Sequence, residues 1–265
     1  SVELAQDSSR AKGEFLSHMS HEIRTPMNSI AGLTYLAREM VGEGRDDELR
    51  DYLNQIDQSS QYLLSLLNNI MDMSKIESSK YEINAKPFNI SSVLDEVYSV
   101  FGATMSTKGI RLTINSDAVT SPDVIGDEIS LRKILNNLLS NANKFTRSGG
   151  RVTIFASQKQ MNEKSSILHL EVADTGVGIS EEFIGHLFEP YTQEMSENGG
   201  RAAGSGLGMA ICKSMIDLQG GSISVSSRLG EGTTFYVDIP YSLGKAAVKK
   251  TEAVNCSAIS GRRIM

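Results

Sequence analysis

The segment at residues 20–26, SHEIRTP, carries the side chains of this chain that are best suited to covalent chemistry. His21 is a candidate nucleophile, Glu22 follows it, and Thr25 stands one helical turn later on the face of His21. A neutral imidazole can attack a phosphorus atom through one nitrogen while a carboxylate accepts the proton from the other. Pro26 lacks an amide hydrogen, which predicts a bend that exposes His21. An exposed histidine is usually only a surface residue, so this segment needs a phosphoryl donor elsewhere in the chain.

A polar stripe on a predicted helix is the first candidate for handling such a donor. Asn137, Asn141 and Lys144 are spaced i, i+4 and i+7, which places them on one helical face. Magnesium prefers oxygen ligands, binds few protein groups and keeps waters and phosphate oxygens, while lysine adds a point charge for a phosphate. A solvated polar face is the alternative. It is less typical of a helix with so many asparagines, because asparagine is a mediocre helix former.

Glycine-rich clusters are the second candidate for a nucleotide site. They are DTGVG, GSGLG and GEGT, at residues 174–178, 204–208 and 230–233. Glycine permits close backbone approach, and free amides at the start of a helix can bind phosphate. Asp174 ends an apolar strand, where its carboxylate could accept a hydrogen bond from an exocyclic amine such as that of adenine. Each feature taken alone has the simpler explanation of a turn.

Two long amphipathic helices are predicted to carry the histidine segment. Apolar residues recur with helical spacing over Val2–Met40 and again over Leu49–Glu77, with a break at GEGRDD, residues 42–47. The pattern predicts a helical hairpin. Its apolar seam favours a homodimer that closes a four-helix bundle, and the alternative is two core helices of a single domain.

The remaining sequence predicts an α+β fold. Lys86-Pro87-Phe88 cannot continue a helix and is the predicted boundary. The order of strands and helices lacks βαβ regularity, which favours a mixed sheet with helices on one face. The polar segment KQMNEKSS is predicted as a turn, and residues 195–206 as a mobile loop. The predicted helices are Ser91–Lys108 with Ser91 as its N-cap, Asp127–Phe145, Glu181–Leu187 and Leu207–Gln219, and the predicted strands are Arg111–Asn115, Arg151–Ser157, Ile167–Ala173, Ser222–Arg228 and Thr233–Ile239.

Composition excludes several classes of function. The chain has 265 residues, 40% hydrophobic and 22% charged, with a net charge of −6 and no long basic block, so nucleic-acid binding is not expected. It contains no apolar run long enough to span a membrane, so no direct membrane contact is expected from it. Cys212 and Cys256 lie far apart, which fits a reducing, cytoplasmic environment.

Together these segments resemble the sensor histidine kinases of two-component signalling. The resemblance runs from about Gly13 to Pro240, and its motifs stand in the family's order. No single motif is specific, but their joint occurrence is. The matching motifs are SHEIRTP (residues 20–26, phospho-acceptor box), NLLSNANKF (137–145, N box), DTGVGI (174–179, first glycine box), LFEPY (187–191, F box), GSGLGMAI (204–211, second glycine box) and GEGTTF (230–235, third glycine box).

The resemblance implies a homodimeric kinase that uses ATP and magnesium (Mg2+) to phosphorylate His21. Glu22 would be the base, and Thr25 would orient a water for dephosphorylation. Asn141 would hold magnesium, Lys144 would touch phosphate and Asp174 would read the adenine amine. Residues 192–203 would form a lid. The other residues implied in ATP binding are Asn137, Phe145, Gly176, Gly178, Ile179, Arg201, Gly204, Gly206, Leu207, Gly208 and Thr233.

The resemblance also implies partners outside this segment. Residues 1–82 would be the dimerisation and phospho-acceptor hairpin, 83–243 the ATP-binding domain and 244–265 a linker. The acceptor motif is most similar to that of hybrid kinases, and the final GRRIM is similar to the start of a receiver domain. We therefore expect a response-regulator receiver, an upstream sensor domain and a bacterial inner-membrane anchor in the whole protein. The competing interpretations are a gyrase-like ATPase and a non-catalytic dimerising scaffold.

Overall fold

The computed structural model describes the backbone of residues 2–42, 44–193 and 206–244, and the side chains of these ranges from residue 19 onward. The predicted loop at 195–206, apart from Gly206, and the terminal GRRIM lie outside the described residues. Within the described ranges, no helix combines the length and apolarity needed to cross a membrane.

Two helices form the predicted hairpin. Helix α1 spans Val2–Met40 without interruption at Pro26, and helix α2 spans Asp46–Glu77. The second helix begins earlier than the predicted Leu49 because the acidic residues of its first turn complement the positive end of the helix dipole. The helices run antiparallel, as cross-contacts pair Ser29 with Ser59 at one level and Glu22 with Tyr62 at another.

After the hairpin, the described part of the chain forms a seven-stranded mixed sheet. Its path is β1-β3-β7-β5-β4-β2, and β6 pairs with β7 off this path. Among the strand pairs of the described residues, only β2–β4 is parallel. The strands are β1 (Lys86–Asn89), β2 (Arg111–Ala118), β3 (Asp123–Gly126), β4 (Arg151–Asn162), β5 (Ser165–Asp174), β6 (Ser222–Arg228) and β7 (Gly232–Leu243).

Helices cover one face of this sheet. Alternate residues of the three central strands are buried, as period-two geometry requires, and they share one core with the apolar sides of the longer helices. The helices are α3 (Ile90–Thr107), α4 (Glu128–Phe145), α5 (Glu181–Ile184) and α6 (Gly208–Leu218). The predicted α+β class, a helical hairpin followed by an α/β sandwich, is confirmed.

Several local predictions were wrong. The N-cap of α3 is Asn89 rather than Ser91, since the Asn89 side chain accepts from the amide of Ser92. The segment KQMNEKSS is mostly strand, because β4 and β5 extend their pairing to the tight turn between Asn162 and Ser165. Strands β1 and β3 were missed because four-residue strands carry too little alternation to detect. Helix α5 ends at Ile184, before the predicted Leu187.

Candidate functional site

The predicted acceptor segment lies on the exposed side of α1. His21 and Thr25 are exposed, whereas Glu22 is half-buried and Pro26 is buried. The Thr25 hydroxyl donates to the carbonyl oxygen of His21 at 3.2 Å. The hydrogen of the Thr25 hydroxyl is therefore used within the helix, but the hydroxyl oxygen can still accept a hydrogen bond from water. The side chain of His18 lies outside the described residues.

Glu22 has two neighbours that the sequence did not indicate. The Tyr62 hydroxyl, on α2, donates to Glu22 Oε2 at 2.7 Å. The pKa of Tyr62 is raised well above its usual range, mainly by burial and to a smaller extent by this hydrogen bond. On α4, burial lowers the pKa of Lys144, while the negative charge of Glu22 acts in the opposite direction. Glu22 therefore lies within electrostatic reach of the end of the predicted polar stripe.

The polar stripe of α4 faces the start of α6. Asn141 Nδ2 lies 3.4 Å from the sulfur of Met209, which leaves the Asn141 amide oxygen available to a cation. Asn137 lies against Gly208, where an added Cβ would come within 2.9 Å of its Oδ1. An amide oxygen suits magnesium, which is bound through few protein groups. Within the described ranges, no three histidine, cysteine or acidic side chains converge to hold a metal instead.

Lys144 and Phe145 complete the stripe at the end of α4. The Lys144 ammonium lies 4.5 Å from the centre of the Phe145 ring, in a cation–π arrangement. Both residues are partly exposed, so each can meet a ligand that approaches this end of the helix.

Asp174 ends β5 between two hydrogen-bonded strands. It pairs in register with Thr233 of β7 on one side and Val152 of β4 on the other. Its Oδ1 accepts the amide hydrogen of Gly176 at 2.8 Å. Burial raises its pKa above the usual value, and hydrogen bonds from the backbones of Gly176 and Thr233 oppose that shift. The carboxylate is thereby fixed at the edge of the core.

The first glycine cluster needs its glycines for steric reasons. Gly178 adopts φ +73°, and an added Cβ would lie 2.0 Å from the carbonyl oxygen of Arg228. Gly176 is crowded by Asp174 and by the backbone of Phe145. The loop is also held to β6, because the Ser227 hydroxyl accepts from the amide of Ile179 at 2.9 Å.

Ser227 was not predicted from the sequence. Its hydroxyl also contacts the Thr233 hydroxyl at 2.9 Å. The Asp174 loop and the β6–β7 hairpin are therefore joined through one serine. Only the alternation of β6 offered a signal, and alternation identifies a face but no partner.

Among the described residues, the N-cap residue of α6 makes no side-chain hydrogen bond to the start of that helix. Gly206 adopts φ +66°, and its carbonyl oxygen accepts from the amide of Tyr191 at 3.0 Å. Leu207 is fully buried and supplies no side-chain cap to the helix that begins at Gly208. Uncapped amides at a helix N-terminus favour an anion. Gly204, Arg201 and most of the predicted lid lie outside the described residues.

The end of α4 joins these elements, because Asn137 and Asn141 lie against the start of α6 and the carbonyl oxygen of Phe145 accepts from the amide of Val177 at 3.3 Å. Family models then match both halves of the chain. Residues 11–79 match the His Kinase A (phospho-acceptor) domain. Residues 126–243 match the histidine kinase-, DNA gyrase B- and HSP90-like ATPase. The chain belongs to the sensor histidine kinases.

Curated histidine kinases are similar along nearly the whole chain. The autoinducer 2 sensor kinase/phosphatase LuxQ of Vibrio parahaemolyticus is 36% identical over 98% of this chain and 29% of its own length. The signal transduction histidine-protein kinase BarA of Escherichia coli is 34% identical over 98% of this chain and 28% of its own. The chain thus spans less than a third of the curated relatives that it matches.

A solved histidine kinase shares the fold. Full-length ShkA in complex with AMPPNP superposes with a TM-score of 0.63 and 28% identity, over 88% of this chain and 47% of that one. That structure contains a nucleotide analogue.

Proposed function

We propose that this chain transfers the γ-phosphoryl group of ATP to His21 and that Glu22 is the base. One nitrogen of the neutral imidazole attacks the γ-phosphorus, an N–P bond forms, and the bond to the oxygen of the ADP leaving group breaks. Glu22 accepts the proton from the other ring nitrogen. The products are a phosphoramidate and ADP. The single observation that carries this proposal is that an exposed histidine stands in the half of the chain that matches a phospho-acceptor domain, next to a half that matches an ATPase domain.

Asn141 is the residue that we propose holds magnesium. The free amide oxygen of Asn141 supports this role, and Asn137 stands one turn earlier on the same face. A bound Mg2+ would supply charge neutralisation at the phosphates. Lys144 would add a phosphate contact and Phe145 would cover it.

The Asp174 loop is the proposed adenine site. Asp174 would accept the exocyclic amine, with Gly176, Gly178, Ile179 and Thr233 around the ring. The half-buried carboxylate and the close glycine contacts support this assignment. Gly206, Leu207 and Gly208 would present backbone amides to phosphate. Gly204 and Arg201 remain predictions because they lie outside the described residues.

A homodimer is proposed for the hairpin. Large apolar side chains of α1 and α2 remain exposed in the single chain: Met27, Tyr35, Leu36, Leu53, Leu64, Leu67 and Met71. Those of α2 recur with helical spacing, as a buried seam would. A second hairpin packed on this surface would bury it in a four-helix bundle.

Transfer from His21 to an aspartate of a receiver domain is the proposed next step. The names of the relatives include both kinase and phosphatase activities, and Thr25 on the face of His21 is our candidate for positioning the hydrolytic water. The receiver, an upstream sensor domain and a membrane anchor remain predictions about the whole protein.

Labelled ATP with magnesium tests the proposed function. Wild type should acquire label that is lost in acid and retained in base, whereas His21→Gln should acquire none. His18→Gln should still be labelled. Label retained by His21→Gln would contradict the assignment, and steady phosphate release without any phosphoprotein would favour the gyrase-like ATPase.

A further inference from the structure

A hydrogen bond across the hairpin holds the carboxylate of Glu22. The donor is the hydroxyl of Tyr62, which lies on α2 opposite the acceptor segment of α1, and the Oη–Oε2 distance is 2.7 Å. A carboxylate has two oxygens, and this contact occupies one of them. The other oxygen remains available for the proton of an imidazole.

The phenol is suited to be a constant donor. Burial and the contact with Glu22 keep the pKa of Tyr62 far above neutrality, so the hydroxyl retains its proton throughout the physiological range. Tyr62 is also fixed by its place on a long helix that packs against α1. An exposed glutamate on a single helix would otherwise sample several rotamers, and immobilising such a side chain has an entropic cost.

We propose that Tyr62 is a positioning residue that holds Glu22 in the orientation needed to accept the His21 proton. This inference rests on the proposed function, since it assumes that Glu22 is the base. Lys144 of α4 interacts with Glu22 through charge alone, which exerts no comparable directional constraint. Tyr62 brings a fixed direction from within the hairpin itself, so the base is oriented before the ATP-binding half engages.

The proposal predicts different effects on the rate of phosphorylation and on the KM for ATP. Tyr62 contacts the base, whereas the proposed ATP contacts lie on other elements. Removing the hydroxyl should therefore lower the rate of phosphorylation and leave the KM for ATP nearly unchanged. If Tyr62 instead had a purely structural role, Tyr62→Phe would lower the melting temperature. It would also slow the labelling of His21 equally in the presence and absence of Glu22.

The experiment compares Tyr62→Phe with wild type, in the presence and absence of Glu22. Tyr62→Phe should reduce the rate of His21 labelling by roughly tenfold, which is below the ~10²–10⁴ attributed to a whole acid–base group. ATP binding by calorimetry and the melting temperature should match wild type. Tyr98→Phe is the control, because Tyr98 lies on α3, outside the hairpin, and is 49% exposed.

The double variant decides between the two roles. In a Glu22→Gln background, Tyr62→Phe should produce no further loss. An additional tenfold loss there, or a Tyr62→Phe rate equal to that of wild type, would overturn the proposal. If the melting temperature of Tyr62→Phe is below that of wild type, Tyr62→Leu gives a second comparison. Loss of the ring should lower stability further, whereas the rate of His21 labelling should stay equal to that of Tyr62→Phe. Failure of the proposed function is recognised separately, because His21→Gln would then keep its label.

Discussion

The acceptor and the nucleotide residues are held in opposite ways. His21 stands exposed on one helix, and its neighbour Glu22 is oriented by one side chain from the opposite helix. Asp174 stands between two paired strands, and the loop that follows it is crowded by the backbone of β6. The nucleotide half is thus defined by main-chain geometry, which changes only if the fold changes. The acceptor half is defined by side chains on a helical surface, which can be changed one at a time.

The contacts between the two halves combine apolar and polar groups. Met19 of α1 and Met73 of α2 join the hydrophobic core of the sandwich. Lys133 of α4 forms an ion pair with Asp72 of α2 at 2.6 Å, and Tyr81 contacts Ser130 at 3.0 Å. Steric fit therefore maintains the nucleotide loop, while the attachment of the hairpin depends on a few identifiable groups.

The largest effect is expected from a change to the main-chain geometry of the nucleotide half. Gly178→Ala adds a Cβ that would lie 2.0 Å from a backbone oxygen, at φ +73°. We expect a loss of about 3–5 kcal/mol in the free energy of unfolding, together with loss of ATP binding. Thermal denaturation and calorimetric titration with ATP measure both.

Gly149→Ala is the matched control for this prediction. Gly149 also has a positive φ, +85°, but nothing lies within 4 Å of the added Cβ. The cost there should be only that of the backbone conformation, about 1–2 kcal/mol. If the two variants lose the same free energy of unfolding, the positive φ, rather than a steric contact, is the reason that residue 178 is glycine.

An intermediate effect is expected at the attachment of the hairpin. The Asp72 side chain is 12% exposed and pairs with Lys133. Asp72→Asn removes the charge and should destabilise the docked arrangement by about 1–2 kcal/mol, between the values for surface and buried pairs. Differential scanning calorimetry should show the hairpin and the sandwich melting further apart in temperature.

Asp217→Asn provides the comparison for an ion pair within one helix. Asp217 pairs with Lys213 on the surface of α6, at i and i+4. Asp217→Asn should lower the free energy of unfolding by less than about 0.5 kcal/mol, because exposed ion pairs contribute little. A loss as large as that of Asp72→Asn would mean that the contact with Lys133 adds nothing specific to docking.

Sequence reasoning recovered the elements with strong periodicity. The hairpin helices, the α4 stripe and the long central strands all repeat over enough residues to define a buried face. The strands β1 and β3 were missed because each has only four residues and Pro87 lies within β1, which pairs with β3 alone at the sheet edge.

Contacts between distant segments could not be predicted. Tyr62 is 40 residues from Glu22, on the opposite helix of the hairpin, and Ser227 is 48 residues from Ile179. Each is a single polar side chain whose partner depends on how two elements align, and periodicity gives a face without giving that alignment. The residues that orient the proposed site were therefore visible only in three dimensions.

The smallest effect is expected where neither site is involved, on the face of the sheet opposite the helices. His169 Nδ1 lies 2.7 Å from Asp238 Oδ1, and Nε2 lies 3.3 Å from Glu171 Oε1. Burial lowers the pKa of His169, but the hydrogen bonds and charges of the two carboxylates outweigh it, so the net shift is upward. The protonated imidazole therefore stabilises the fold fully below the ordinary value of ~6.5, and that stability is lost as the pH rises through the raised pKa. His169→Gln should lower the melting temperature at pH 5.5 and leave it almost unchanged at pH 9. The loss in the free energy of unfolding at pH 5.5 should be below about 0.5 kcal/mol, because the side chains are partly exposed. Asp238→Asn should weaken the same pH dependence, whereas equal losses at both pH values would assign the effect to packing. The contacts of His169 within the described residues are with strands β5 and β7, so labelling of His21 should be unaffected in either variant.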